Sequence, residues 1–315
     1  MIFHFILNPK SGRSPQQKKM EQDIVDGCHK RQLSYRIYYT TAPRDAINYV
    51  RDRIKEYPDE RHRFICVGGD GTINEIANSA PGNPNIEFGV IPNGSGNDFV
   101  RNFTNRRRFT DIDAQIDGEV HSFDLIKCND NYCVNMVNIG FDCSVVIEAD
   151  KFRKVKFISP GLSYIMGVVV GFFFKRFGTK MKIIFDNGDV VEKKLTLTAI
   201  GNGKFCGGGF KSAPRASLSD GLLDVCIIDK VSRLTFISLV GSYKDGTFLE
   251  KKSAQSIIRY LQTKHFKMEF EETQPICIDG EIYHEKEIDF TVVPGAFNFV
   301  IPKGSDLRFK DQTTD

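Results

Sequence analysis

One stretch constrains this chain more than any other: Val67-Gly68-Gly69-Asp70-Gly71-Thr72-Ile73-Asn74-Glu75. An apolar run from Arg63 to Val67 leads into it, and helical spacing begins at Ile73 and runs to Ala77. A strand turning into a helix through glycines lets the backbone approach a ligand. The amides at the helix start then face an anion, helped by the helix dipole. Asp70 sits badly beside bare phosphate, so the pattern implies a cation, magnesium in the first instance, between carboxylate and phosphate oxygens. A tight turn capped by Asp or Thr explains a lone motif of this length equally well.

Two further loops favour the ligand reading. The run Gly89 to Ile91 is followed by Pro92-Asn93-Gly94-Ser95-Gly96-Asn97-Asp98-Phe99, and the first run, Ile2 to Leu7, by Asn8-Pro9-Lys10-Ser11-Gly12. Strands at Ile2–Leu7, Arg36–Tyr39, Arg63–Val67 and Phe88–Ile91 alternate with helical patterns carrying Met20, Ile24 and Cys28, and Ala46, Val50 and Ile54. That β-α-β-α rhythm predicts a parallel sheet with helices on its faces, and all three loops then leave its carboxyl edge, where ligands bind. Lys10 is a phosphate contact on this reading and a solvated lysine otherwise. The chain has no G-x-x-x-x-G-K-[ST], and Phe99 stands where a G-x-G-x-x-G fingerprint needs its third glycine, so a P-loop and a dinucleotide site are both disfavoured.

Past Arg106-Arg107-Arg108 the pattern changes to strands: Ser122–Lys127, Tyr132–Val137, Met181–Phe185, Val190–Ile200, Leu223–Ile228, Phe266–Phe270, Ile276–Asp279 and Asn298–Ile301. Asn187-Gly188 between two of them signals a hairpin. Helical stretches at Ser163–Phe174 and Leu234–Tyr243 interrupt them. The expected fold is α/β plus β: a Rossmann-like parallel nucleotide domain over 1–120 and an antiparallel β-sandwich, the lipid-binding domain, over 121–315, with a return of the last residues to the first domain left open.

Composition removes several classes. With 41% hydrophobic and 26% charged residues the chain is globular, and a formal charge of +3 gives no sign of a nucleic-acid binder. The longest apolar run, Tyr164 to Phe174, falls short of the roughly 20 residues a membrane span requires. The first residues lack the features of a signal peptide, so a cytoplasmic protein is expected. The 8 cysteines include no C-x-x-C pair; those in FICVGG, DVCIID and PICIDG read as reduced core residues.

In the second half, Gly201-Asn202-Gly203 precedes Gly207-Gly208-Gly209-Phe210, Ala213-Pro214 and Ser217-Leu218-Ser219-Asp220-Gly221-Leu222-Leu223-Asp224. The Asp-Gly pair there reads as a turn when taken alone. In Ile276-Cys277-Ile278-Asp279-Gly280-Glu281, Asp279 follows an apolar strand, where a carboxylate can accept a hydroxyl proton during phosphoryl transfer; a turn aspartate before Gly280 is the alternative.

Taken in order, NPKSG from Asn8, VGGDGTINE from Val67, IPNGSGNDF from Ile91, NIGFD from Asn138, GNG from Gly201, SLSDGLLDV from Ser217 and IDGE from Ile278 closely resemble the soluble diacylglycerol kinase family of bacterial lipid kinases, which includes the catalytic domains of sphingosine and ceramide kinases. NAD kinases and phosphofructokinases are more distantly similar. The resemblance spans nearly the whole chain and implies ATP on the first domain, contacted by Asn8, Pro9, Lys10, Ser11, Gly12, Thr40, Gly69, Asp70, Gly71, Thr72, Ile73, Asn74, Glu75 and Ser95. It implies catalytic magnesium near Asp70 and Asp98 and a general base at Asp279. It also implies a structural magnesium held by the Asp220 carboxylate and backbone oxygens near Ser217 and Leu222, and an active site in the cleft between two domains. Ser95 stands where the family often has Thr and keeps the hydroxyl. Ser217 and Ser219 stand where charged residues are frequent.

The implied reaction is in-line transfer of the ATP γ-phosphoryl group to the hydroxyl of a diacylglycerol-like lipid. Such a substrate requires a peripheral membrane surface. Tyr164–Phe174 is the candidate contact, with Lys175 and Arg176 after it and Lys151, Arg153, Lys154 and Lys156 before it; a core helix with solvated ends is the alternative. A homodimer is left open. The rival functions are a kinase of NAD or another soluble acceptor, a kinase of a sphingoid base, ceramide or isoprenoid alcohol, and a silent nucleotide or lipid sensor.

Overall fold

A computed structural model describes residues 1–8, 15–42, 44–94, 96–153 and 178–308. The chain divides into two compact units, Met1–Asp124 with Pro294–Asp315, and Leu125–Val293.

In the first unit, β1 (Ile2–Leu7) lies parallel to both β2 (Ser34–Tyr39) and β3 (His62–Gly68), and β3 lies parallel to β4 (Ile86–Pro92). The strand order is β4-β3-β1-β2. Helices α1 (Pro15–Lys30), α2 (Asp45–Glu56) and α3 (Asp70–Ala77) connect them. Every residue of β3 is buried, as suits a central parallel strand covered on both faces, whereas β2 is half-buried along most of its length. Phe3, Phe5, Leu7, Ile65, Val67 and Ile91 pack against Ile24 and Cys28 of α1 and against Ile112 and Ile116 of α4 (Ile112–Ile116). Burying each large apolar side chain contributes about 1.5–3 kcal/mol. Leu7 pairs with Val67 and Gly68 with Pro92, so β1, β3 and β4 end at one edge of the sheet.

The second unit is antiparallel. It contains β6 (Asn131–Cys133), β7 (Met136–Gly140), β8 (Thr179–Phe185), β9 (Val190–Gly201), β10 (Leu223–Asp229), β11 (Ile258–Thr263) and β12 (His265–Ile278). Two further strands, β5 (Glu119–Cys128) and β13 (Glu281–Ile301), each have residues in both units. The order within the unit is β11-β10-β9-β7-β12-β13, and β8 pairs with both β9 and β12. Alternation along β10 separates two cores: Leu223, Val225 and Ile227 face one, Cys226 and Ile228 the other. Both faces are covered, which is why Val225–Ile228 reads as an unbroken apolar run. Helices α5 (Phe141–Arg153) and α6 (Arg233–Asp245) also belong to this unit.

Three sequence expectations change. The run Tyr132–Val137 is not one strand but breaks at Val134 and Asn135, whose amides turn toward Asp279. Phe266–Phe270 and Ile276–Asp279 belong to one long strand, β12, and Asp279 lies just beyond its end. The exposed Glu271, Glu272 and Thr273 mimic a turn but mark a shift of register between Glu269 and Gln274. Likewise Asn298–Ile301 is only the end of β13, a strand of 21 residues. The Asn187-Gly188 hairpin forms as expected between β8 and β9. Ser163–Phe174 lies outside the described residues. Among those described, no helix is long and apolar enough to cross a membrane.

Candidate functional site

In the first unit, the loops after β3 and β4 meet backbone to backbone. Asn93 donates its amide to the Gly68 carbonyl at 2.8 Å. A Cβ placed on Gly94 would lie 2.6 Å from the Gly69 Cα, and one placed on Gly69 would lie 3.0 Å from the Gly94 Cα. Real side chains do not tolerate the first approach, so glycine is required at 94, and the second leaves little room at 69. Asn97, at a positive φ of 49°, braces the second loop: its Oδ1 accepts the Gly94 amide at 3.0 Å and its Nδ2 donates to the Gly94 carbonyl at 2.8 Å.

Asp70 opens α3, with Gly69 as the N-cap residue. Its carboxylate accepts the amides of Asp98 and Phe99, both at 3.0 Å, and so ties the first loop to the second. Phe99 is buried against Phe103, Phe297 and Phe299, which fixes where that pair of amides points. Asp98 is 8% exposed and faces Arg101, with Nε 3.1 Å from Oδ1. A Cβ on Gly96 would lie 3.1 Å from Asp70 Oδ2 and 3.3 Å from Asp98 Oδ2, so both carboxylates border the space that Gly96 leaves.

The remaining expected residues of this unit divide into three groups. Asn8 directly follows β1, and Thr40 directly follows β2, with its amide donating to Leu7 at 2.9 Å. The neighbouring Thr41 is engaged elsewhere: its amide and hydroxyl donate to Asp45 Oδ2 at 2.7 and 2.9 Å, which, the amide foremost, holds that carboxyl below its ordinary range. Gly71, Thr72, Ile73, Asn74 and Glu75 follow Asp70 on α3, and Glu75 Oε1 accepts the Arg44 amide at 3.0 Å. Pro9, Lys10, Ser11, Gly12 and Ser95 lie outside the described residues.

In the second unit, Asp279 and Gly280 form the turn between β12 and β13, at φ of 48° and 95°. The turn reading of the sequence therefore describes the backbone, and the side chain does something further. Its Oδ2 accepts the Val134 amide at 2.7 Å. Its Oδ1 accepts the amides of Asn135 at 3.0 Å and Met136 at 2.9 Å, and the Cys133 thiol donates to the same oxygen at 3.1 Å. Three successive amides converging on one anion form a nest. Asn202 braces it, donating its Nδ2 to the Val134 carbonyl at 2.8 Å and its amide to Asn135 at 3.0 Å. This role for the G-N-G segment was not legible in advance, because Val134, Asn135 and Met136 contribute main chain and carry no motif.

The 217–222 loop is exposed at Ser217 and Asp220. Asp220 Oδ1 accepts the Leu222 amide at 3.1 Å across Gly221, whose φ is 70°. Behind it lies a cluster that sequence reasoning also missed. Asp224 is fully buried and accepts from the Tyr260 hydroxyl at 2.6 Å and from Gln262 Nε2 at 3.2 Å, while burial pushes its carboxyl above the ordinary range. Tyr260 lies 36 residues away along the chain, and nothing in its local sequence sets it apart.

Comparison with known proteins bears on what these groups do. The family described as "Diacylglycerol kinase catalytic domain" matches residues 3–128, and the "YegS C-terminal NAD kinase beta sandwich-like domain" matches residues 135–301. A protein of Shewanella frigidimarina described as "Probable lipid kinase YegS-like" is 30% identical over 267 residues, covering 82% of this chain and 81% of its own. One of the same description from Chromohalobacter salexigens is 25% identical over 311 residues, covering 96% and 94%. The crystal structure of a diacylglycerol kinase from Bacillus anthracis shares the fold, with a TM-score of 0.70 at 21% identity over 96% of this chain and 97% of that one. An NAD kinase from Archaeoglobus fulgidus, solved in complex with ATP, is similar at a TM-score of 0.51 and 10% identity, over 96% and 94% of the two chains.

Proposed function

Because the chain belongs to the family of the diacylglycerol kinase catalytic domain, among the YegS-like lipid kinases, we propose that it transfers the γ-phosphoryl group of ATP to the hydroxyl of diacylglycerol or a similar lipid, giving phosphatidic acid from the former. The observation that carries this reading is the backbone contact of Gly69 with Gly94 at a sheet's carboxyl edge, with Asp70 and Asp98 bordering the space at Gly96. Glycine-lined amides at a helix start suit phosphates. The ATP phosphates lie along Gly69–Glu75, with Asn8, Pro9, Lys10, Ser11, Gly12, Thr40 and Ser95 completing the nucleotide contacts.

Hard carboxylate oxygens bordering the space at Gly96 suit Mg2+, which takes one or two carboxylates and fills its shell with water and substrate phosphates. Asp70 and Asp98 would hold it, and when bound it neutralises charge on the transferring group. Asp220, with backbone oxygens of Ser217 and Leu222, offers a second all-oxygen set for a structural ion. Asp279 takes the proton of the attacking hydroxyl, and its nest of amides fixes the carboxylate in one orientation while the acceptor approaches. An acceptor of this class resides in a bilayer, so the protein works at a membrane surface. The segment first considered for that contact, Tyr164–Phe174, lies outside the described residues.

The test is transfer of labelled phosphate from ATP with Mg2+ to diacylglycerol in mixed micelles, with wild type beside Asp279→Ala. Labelled phosphatidic acid from the wild type only is the expected result. Transfer instead to a sphingoid base, ceramide, an isoprenoid alcohol or NAD would replace the acceptor. Silence across that panel would leave a nucleotide or lipid sensor. Sedimentation with anionic vesicles at low salt tests the surface contact, which absence of binding would refute.

A further inference from the structure

We propose that Cys133 is a positioning residue for the reaction, acting through the hydrogen bond its thiol donates to Asp279. This rests on the reading of Asp279 as the proton acceptor. Of the donors among the described residues that hold the Asp279 carboxylate, three are main-chain amides, which only a substitution by proline would remove. A further donor, 3.1 Å from Oδ1, is the Cys133 Sγ, a side chain that evolution or an experimenter can change.

The thiol is well suited to the task. Cys133 is fully buried, and burial first, then the adjacent Asp279 charge, pushes it well above the ordinary thiol range. It therefore stays protonated and remains a donor across the working pH range. A low-pKa, accessible cysteine would be a nucleophile or redox sensor; this one is neither. Its backbone is fixed as well. Cys133 ends β6, pairs with Ile126 of β5, and directly precedes the three amides of the nest, so thiol and amides approach the carboxylate as one rigid segment. Removing the thiol releases one of the bonds on Oδ1 and lets the carboxylate rotate in the nest. A proton acceptor that wanders from its attack geometry slows the chemical step more than it weakens ATP binding.

Cys133 also belongs to a hydrophobic core, so a purely structural role has to be separated from this one. The pair Cys133→Ala and Cys133→Ser does so. Buried serine is a poorer core filler than alanine but a competent donor. Positioning predicts that alanine has the lower kcat, whichever of the two variants is the less stable in thermal denaturation. We expect Cys133→Ala to cut kcat about tenfold, the worth of one hydrogen bond to a charged group, with KM for ATP unchanged. Cys133→Ser should recover to within about threefold of wild type. If the kcat of serine is at or below that of alanine, Cys133 only fills the core and the proposal falls. Asp279→Asn measured alongside separates the two readings. Full activity in that variant removes the proton-acceptor role and this inference with it. An inactive Asp279→Asn with serine no better than alanine overturns the inference alone.

Discussion

Asp70 and Asp279 are built on the same principle from different parts. Each lies beside a glycine just past a strand end, and each has its carboxylate held by main-chain amides from elsewhere in its own unit. Around Asp70 the two loops touch through Gly69 and Gly94, and no other residue fits at Gly94. Around Asp279 the donors are the amides of Val134, Asn135 and Met136, and the neighbouring Gly280 meets nothing within 4 Å. The first aspartate depends on the absence of side chains, the second on the direction of a backbone. A glycine contact is unforgiving of added volume, whereas a nest is unforgiving of lost charge.

That contrast can be broken most directly by adding one methyl group to each region. Gly94→Ala drives a Cβ into the Gly69 backbone, where neither side can yield by rotating a side chain. We expect phosphoryl transfer to fall by about 100-fold or more, as an ångström of misplacement does. Gly280→Ala should leave transfer within about threefold of wild type. Its own effect, from the positive φ, is a stability loss of about 1 kcal/mol by urea denaturation. Equal losses of activity would mean that the two turns are packed alike.

Removing charge should reverse the ranking. Asp279→Asn presents an amide NH2 to converging N–H donors and leaves buried groups unsatisfied, so it should lower stability by about 2–3 kcal/mol. Asp70→Asn loses part of a two-amide interaction and should lower it by about 1 kcal/mol while abolishing transfer. Denaturation midpoints of the two variants, with unchanged slopes, check this. Equal midpoints would show that the number of amides does not set the stability contribution.

The units also differ in their response to pH. In the first, buried His4 lies between the Tyr49 hydroxyl and His62 Nδ1, each at 3.0 Å. His62 Nε2 faces the Tyr57 carbonyl at 3.0 Å, which can only accept. His62 therefore donates there, His4 Nε2 donates to His62, and His4 Nδ1 accepts from Tyr49: a neutral chain with every proton assigned. Burial and His62 push His4 down to about 3. The unfolded chain binds the extra proton below about pH 6.5, so stability present above that pH declines toward pH 3 by about 1.4 kcal/mol per pH unit. In the second unit, His265 bridges Asp289 and Asp186, which raise it. Its contribution is present below pH 6.5 or so and is lost as pH rises through the raised value. It is 34% exposed, so solvent reduces the effect to roughly a few tenths of a kcal/mol. Urea titrations across pH, with His265→Asn as control, should show a steep acid limb that the variant keeps and a shallow alkaline limb that it loses.

Much of the first region was legible in the chain. Glycines at 68, 69, 71, 94 and 96 announce close backbone approach, because no other residue permits it, and apolar runs of strand length between helical patterns order a parallel sheet that gathers the loops. In the second unit, Asp279-Gly280 declared a turn but not the thiol and main-chain amides around it. An amide is present at every residue except proline, so the nest at Val134–Met136 leaves no compositional mark; only the break between β6 and β7, where an unbroken strand was expected, records it. The Asp224–Tyr260 pair is invisible for the same kind of reason, since partners 36 residues apart are joined by the pairing of β10 with β11 and by no local pattern. The sequence by itself determined where the backbone must bend and which stretches must be buried, because those follow from the shape and solubility of single residues. The tertiary structure alone decided which main-chain donors meet which carboxylate, because hydrogen-bond direction is a property of assembled strands.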